Sequence, residues 1–262
     1  MKLEFLGTGA ADYLLERDCN DPGFRCFSSM MIDDTLLIDP GPHIFHYAET
    51  QGKADLFDRL QTIIITHSHD DHLNVDSVKR LLAINPKCVI AGNSVSIETL
   101  QNGGVCGDLR ILTPFERYEF GAYTVVPLYA NHFTGRYDEQ PLLYSIETAG
   151  KKLFYGTDTG WLPAATWQYL TGRGYDAMIF ELTIGEASYD FRIFTHTGVE
   201  MLRIMLRTIT HRDKARYNAA GYGCKFFTTH HARNLHPDQA TLEAMLAPLN
   251  VTPAYDGMIT EI

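Results

Sequence analysis

The chain lacks any apolar run approaching the ~20 residues that a membrane-spanning helix needs. Its N-terminus, MKLEFLGTGAADYLLERD, carries Glu4 inside the one early apolar run and a Gly-rich turn after it. That pattern reads as a first strand, not a secretory leader, so a cytoplasmic protein without a membrane partner is expected. Cysteine is sparse: Cys19, Cys26, Cys88, Cys106 and Cys224 contain no CxxC pair. Their odd number argues against a disulfide framework, and buried free thiols are expected. No Lys/Arg run exceeds two residues, and the formal net charge is −10. A long nucleic-acid polyanion would be repelled on average, which favours a small-molecule substrate. Low-complexity segments, short-period repeats and Pro/Gly/Ser linkers are missing too, so 1–262 is expected as a single domain. A homodimer stays open. No GxSxG motif points to a serine nucleophile.

What is present is a set of short β-rich runs broken by turn chemistry. Lys2 to Leu6, Ser29 to Ile32, Thr35 to Asp39, Thr62 to Thr66 and Cys88 to Ala91 read as strands. So do Thr124 to Leu128, Leu142 to Glu147, Lys152 to Gly156, Ala177 to Glu181 and Lys225 to Thr229. Helices are expected from Asn74 to Leu82 behind an Asn cap, and after Thr197-Gly198-Val199-Glu200, which has the form of a capping box. The second helix puts Val199, Leu202, Met205, Leu206 and Ile209 on one stripe. A last helix is expected to begin near Pro237. Strands and helices in both halves predict a layered α/β domain.

The chemistry concentrates in Thr66-His67-Ser68-His69-Asp70-Asp71-His72, directly after the β-branched run Thr62 to Ile65. Three histidines and two aspartates in six positions are costly unless something binds them. Imidazole and carboxylate suit zinc, manganese, iron or nickel. On an irregular loop, His67 and His69 can face one side while Asp71 and His72 face another, so one loop can serve two ions. Further candidates each close a β-run: His132 after Val125 to Ala130, Asp158 in Gly156-Thr157-Asp158-Thr159-Gly160 after Lys152 to Tyr155, and His230 after Phe226 to Thr229.

These motifs resemble the metallo-β-lactamase superfamily, whose HxHxDH signature matches His67, His69, Asp71 and His72. The likeness runs from Phe5-Leu6-Gly7-Thr8-Gly9 through Leu37-Ile38-Asp39-Pro40-Gly41 to Thr229-His230. It implies a four-layer αββα sandwich with two divalent ions, zinc favoured over manganese, iron or nickel. One ion would take His67, His69 and His132. The other would take Asp71, His72 and His230, with Asp158 bridging. His230 is preferred over its neighbour His231 because it directly follows the strand. Asp39 would steady the His loop from behind, and Asp71 counts among the catalytic groups as well as the ligands. Two ions a few ångströms apart can share a hydroxide and stabilise charge on a phosphoryl or carbonyl oxygen.

Lactamases of the superfamily commonly place Cys where this chain has Asp158, so antibiotic hydrolysis is not expected. Thiolesterases share the Asp, which keeps a thiolester or lactone hydrolase as the alternative, and a non-catalytic binding protein as a third reading. Glu181 at a strand end and His196 before a helix are similar to the Glu and His of the phosphodiesterase branch. That branch includes RNase Z and the phosphonate-pathway cyclic-phosphate phosphodiesterase. In it the His lies beside the leaving group and the Glu orients it, which implies a small cyclic or nucleotide-like diester cleaved with His196 as general acid. The extended arm of the tRNA-processing enzymes does not fit the 26 residues separating His132 from Asp158. Cys19 and Cys26 fall where the phosphonate-pathway enzyme has a zinc-binding Cys cluster, but the dense cluster is missing. Arg136, Arg192 and Arg233 are candidate phosphate clamps, and Trp161 a candidate pocket wall, with Tyr137 beside Arg136.

Overall fold

The structure is a computed structural model and describes residues 1–187, 189–212 and 223–262. Strands β1 (Lys2–Gly7), β2 (Ser29–Ile32), β3 (Leu36–Ile38), β4 (Thr62–Ile64), β5 (Val89–Gly92) and β6 (Asp108–Ile111) belong to one sheet. Strands β7 (Tyr118–Phe120), β8 (Tyr123–Tyr129), β9 (Leu142–Thr148), β10 (Lys151–Gly156), β11 (Ala177–Glu181), β12 (Lys225–Thr229) and β13 (Val251–Pro253) form the other. The last strand, β14 (Ile259–Glu261), returns to pair antiparallel with β1 and completes the first sheet at seven strands.

In each sheet one half is parallel: β3 to β6 in the first and β10 to β13 in the second. Parallel neighbours need crossovers, and helices supply them. These are α2 (Ile44–Thr50), α3 (Val75–Ile84) and α4 (Ser94–Asn102), then α5 (Ala164–Leu170), α6 (Val199–Arg212) and α7 (Gln239–Leu246); α1 (Leu15–Asp18) is a single turn.

Strands buried on both faces divide their side chains between two cores by the two-residue period. In β3, Leu36 and Ile38 face the core between the sheets while Leu37 faces the helices. In β11, Ala177 and Ile179 face the inter-sheet core and Met178 and Phe180 face α6 and α7. Three stacked cores therefore separate four layers, an αββα sandwich. The sheets lock together beneath the His loop: the Tyr144 hydroxyl donates to Ile65 O at 2.5 Å, and Leu142 N donates to Thr66 O at 2.9 Å.

Several local expectations are corrected. Thr66 lies beyond β4, and Asp39 beyond β3, because both leave the ladder to bond each other. The last helix is capped by Asp238, whose carboxylate accepts from Thr241 N at 2.8 Å, so Pro237 precedes it. Asn74 caps α3 as expected, accepting from Ser77 N at 2.9 Å. The Thr197 hydroxyl instead donates to Thr159 O at 2.8 Å, and Glu200 pairs with Arg203, so no reciprocal capping box forms there. Cys26 and Cys88 are buried free thiols and Cys224 is buried too, but Cys19 and Cys106 are exposed. Among the described residues no helix is long and apolar enough to cross a membrane.

Candidate metal centre

The C-terminal ends of the parallel strands converge on one edge, where open α/β sheets gather their functional groups. Asp39 follows β3, the His67–His72 loop follows β4, Asp158 follows β10, and His230 follows β12; His132 joins them from beyond β8. Asp39, Asp158 and His230 all have left-handed backbones, with φ of 58°, 50° and 56°. Asp and His tolerate that region better than most residues, and it turns each side chain off the strand end. Gly41 is required for a different reason. A Cβ there would lie 2.4 Å from Asp71 O, so only glycine lets the β3 turn pack under the His loop.

Three overlapping groups of donor atoms form. His67 Nε2, His69 Nδ1, His132 Nε2 and Asp158 make the first; Asp71, His72 and His230 make the second; Asp158 and His230 also group with His196. In the first, His69 Nδ1 lies 3.0 Å from His67 Nε2 and 3.3 Å from His132 Nε2, while Asp158 Oδ2 lies 3.5 and 3.6 Å from His67 and His132. In the second, His72 Nε2, His230 Nε2 and Asp71 Oδ2 are mutually 3.3 to 3.4 Å apart. Asp158 Oδ1 lies 3.0 Å from His230 Nε2 and 3.5 Å from His72 Nε2. Tetrahedral donors about 2.0–2.1 Å from a zinc ion would stand about 3.3–3.4 Å apart. The spacing and chemistry of the first two groups fit a divalent cation, and the two oxygens of Asp158 face one each.

The outer partners fix which nitrogen of each ring is free. His72 Nδ1–H donates to Asp39 Oδ2 at 2.9 Å, and His132 Nδ1–H to Thr195 O at 3.3 Å. Thr66 gives its hydroxyl proton to Asp39 at 2.8 Å and accepts from His67 Nδ1–H at 3.0 Å. Thr183 gives its proton to Glu181 Oε2 at 2.5 Å and accepts from His230 Nδ1–H at 2.7 Å. Each of these four rings is left with an Nε2 lone pair pointing into the centre, the arrangement that metal-binding histidines need. His231 turns away and bonds Thr228 Oγ1 at 3.1 Å.

Burial and charge act together here. Burial alone would neutralise the ions, and it does hold His67 and His132 low, His132 at about 4. His72 is also desolvated, yet Asp71, Asp158 and Asp39 outweigh burial and raise it well above the usual range. Asp71 and Asp158 are desolvated as well, but neighbouring His72 and His230 hold both carboxyls well below theirs. A cluster that keeps its carboxylates ionised in a dry interior is suited to cations.

His196 stands against this cluster. Its ring lies 4.8 Å from that of His132 and stacks on His230 at 5.6 Å with the planes 9° apart. His196 Nδ1–H donates to Glu181 Oε1 at 2.9 Å. Burial lowers its pKa, but Glu181, then Asp158 and Asp71, lift it to about 9. Bound cations would oppose that rise. The Glu181 carboxylate is fully buried and also accepts from Thr159 N and Thr183 N, both at 2.9 Å.

The candidate clamps are all engaged elsewhere. Arg136 bonds Asp138 at 2.7 and 3.0 Å, Arg192 bonds Asp190 at 2.8 and 2.9 Å, and Arg233 binds Asp18 at 2.6 Å and also Asp21. Trp161 is half exposed, three residues beyond Asp158. Neither Cys19 nor Cys26 joins a donor group among the described residues.

Two contributors escaped the sequence reading. Thr183, two residues after Glu181 and so on the same side of the strand's continuation, offered only that spacing as a signal. Glu139 offered none: it accepts from Ser68 N at 2.8 Å, Ser68 Oγ at 2.7 Å and Asn93 Nδ2 at 2.9 Å, pinning the residue between His67 and His69.

A two-sheet αββα sandwich with paired His/Asp donor groups at its strand ends defines a protein of the metallo-β-lactamase architecture. The chain belongs to the β-lactamase superfamily: residues 34–212 match the model of the β-lactamase superfamily domain. No curated protein matches it in sequence. Among solved structures it is similar to a diphosphatase of the PhnP family, with 20% identity, a TM-score of 0.74, and coverage of 100% of this chain and 96% of that one. Zn(2+)-bound PqqB from Methylobacterium extorquens gives 14%, 0.72, and 100% of both chains. The short form of human tRNase Z gives 18%, 0.69, and 100% and 99%. At these identities the likeness establishes the fold.

Proposed function

We propose that the chain is a binuclear metal-dependent phosphodiesterase acting on a small, cyclic or nucleotide-like diester. The observation that carries this reading is the Glu181–His196 pair set against the donor cluster. An alkoxide is a poor leaving group until it receives a proton, whereas a thiolate departs without one. A protonated imidazole beside the centre is therefore what a diester needs and a thiolester does not. Glu181 keeps that imidazole charged and aims Nε2 away from itself, towards the leaving oxygen. The names of two structural neighbours, a diphosphatase and a tRNase, support phosphoester chemistry.

His67, His69, His132 and Asp158 would hold one divalent ion, and Asp71, His72, His230 and Asp158 the other. Zinc is favoured, as in the Zn(2+)-bound neighbour. Such ions supply activated water at neutral pH and stabilise charge on the phosphoryl oxygens. With a net charge of −10, and with Arg136 and Arg192 paired to aspartates, the chain is better suited to small substrates than to RNA. The test is a screen of the metal-loaded protein against aryl phosphodiesters, cyclic phosphodiesters, thiolesters and lactones. Diester turnover should dominate; faster thiolester or lactone hydrolysis would overturn the reading.

A further inference from the structure

The exposed aromatic side chains are not scattered. Among the described residues they are Tyr129, Phe133, Tyr137, Trp161, Tyr189, Phe191, Phe194 and Tyr255. All but Tyr255 lie at or on the three loops that deliver His132, Asp158 and His196 to the centre. These loops are bonded to one another. Gly160 N donates to Asn131 O at 3.0 Å, and His132 Nδ1–H donates to Thr195 O at 3.3 Å. A Cβ on Gly160 would sit 3.2 Å from the Asn131 side chain and 3.3 Å from Phe194 O, so the Trp161 loop is wedged between the other two.

Two aromatic pairs stand on these loops. Phe133 and Tyr137 pack at 5.2 Å between ring centroids. Phe191 and Phe194 occupy the first and last positions of a 3-10 turn, where side chains three apart line up on one face. They are 80% and 78% exposed, a large apolar area to leave in water without a use. The charges nearby point the same way. Arg136 and Arg192, on two of these loops, are each held by an aspartate two residues away, so neither guanidinium is free for a second or third phosphate.

We propose that Trp161, Phe191 and Phe194, with the Phe133–Tyr137 pair on the adjoining loop, form a collar that stacks on an aromatic or heteroaromatic group of the substrate. The collar selects a singly charged ester bearing such a ring over a polyphosphate. This rests on the phosphoester reading of the centre, but its test does not depend on turnover. In a Trp167→Phe background, Trp161 is the one remaining tryptophan and its emission reports on the collar. Phenylphosphonate and methylphosphonate carry the same charged group and differ in the ring. Titrated into the metal-loaded full chain, phenylphosphonate should bind tighter by on the order of tenfold to a hundredfold, as stacking on aromatic residues implies. Phe191→Ala with Phe194→Ala should erase that difference and leave methylphosphonate affinity unchanged.

Equal affinity for the two phosphonates, or binding of neither, overturns the collar. So does an unchanged ratio in the double variant accompanied by conversion of a dimer to monomers, or by loss of binding to phosphatidylcholine vesicles. Those outcomes would assign the aromatic surface to a second copy or to a lipid surface. If the ratio holds while no diester is cleaved, the phosphodiesterase reading fails and the collar stands.

Discussion

Glu181 governs His196 and His230 through opposite oxygens of one carboxylate. Oε1 accepts from His196 Nδ1 at 2.9 Å; Oε2 takes the Thr183 proton at 2.5 Å, and Thr183 in turn receives His230 Nδ1–H at 2.7 Å. One buried charge thus sets the proton on one ring and the lone pair on another. Glu181→Gln would disturb both. It should lower activity and also weaken the ion held by Asp71, His72 and His230, read by metal content after dialysis. Thr183→Val should weaken that ion alone. A Glu181→Gln variant with full metal retention would show that the Thr183 relay is dispensable.

His196 belongs to neither donor group that takes the His67–His72 loop, although it shares a third with Asp158 and His230. His196→Ala should therefore slow diesters with poor alcohol leaving groups by about 10²–10⁴-fold, the usual range for positioned acid–base catalysis. Activated nitrophenyl diesters should lose much less, and metal content should stay constant. Equal losses on both classes would demote His196 from general acid to a structural group.

The pH profile has a definite sign. The His196 pKa is raised to about 9 mainly by Glu181 acting against burial. An acid that must be protonated works below its pKa, so turnover of a poor leaving group should fall as pH rises, with its alkaline limb at or below about 9. Glu181→Gln should move that limb towards lower pH, because the neutral amide no longer favours the imidazolium. A limb that stays in place would identify a different titrating group.

Asp158 presents one oxygen to each donor group that takes the His67–His72 loop. Saturated protein should contain close to two ions per chain, and Asp158→Ala should lose activity together with the tight pair. Elemental analysis after gel filtration reads this directly. A saturated chain that holds one ion and tolerates Asp158→Ala would refute the bridge.

The sequence was most legible where one segment carried its own explanation. The β-branched run before His67, the Asn74 cap and the apolar stripe of α6 are local patterns, and the structure forms strand and helices there. His230 could be chosen over His231 because the residue after a strand leaves by the sheet edge. Strands β6 and β14 were not legible: Asp108–Ile111 and Ile259–Glu261 are sheet-edge strands with much of their surface exposed, so no apolar alternation marks them. Glu139 and Thr183 act across 71 and 47 residues of chain, distances at which no periodicity speaks. The pairing of Arg136 and Arg192 was local but went unread: Asp138 and Asp190 sit two residues away and bond them.

The two donor groups that take the His67–His72 loop each draw on both sheets. His67, His69, Asp71 and His72 come from the first, while His132, Asp158 and His230 come from the second. On a ribosome the His67–His72 loop emerges early, yet neither cage closes until Asp158 follows, and the second also waits for His230. A nascent chain would present the His67–His72 loop early, complete the first set of donors with Asp158 and complete the second only with His230. Filling the second cage is then a late checkpoint on correct docking of the two halves, and a chain truncated before β12 should keep donors for the first cage alone.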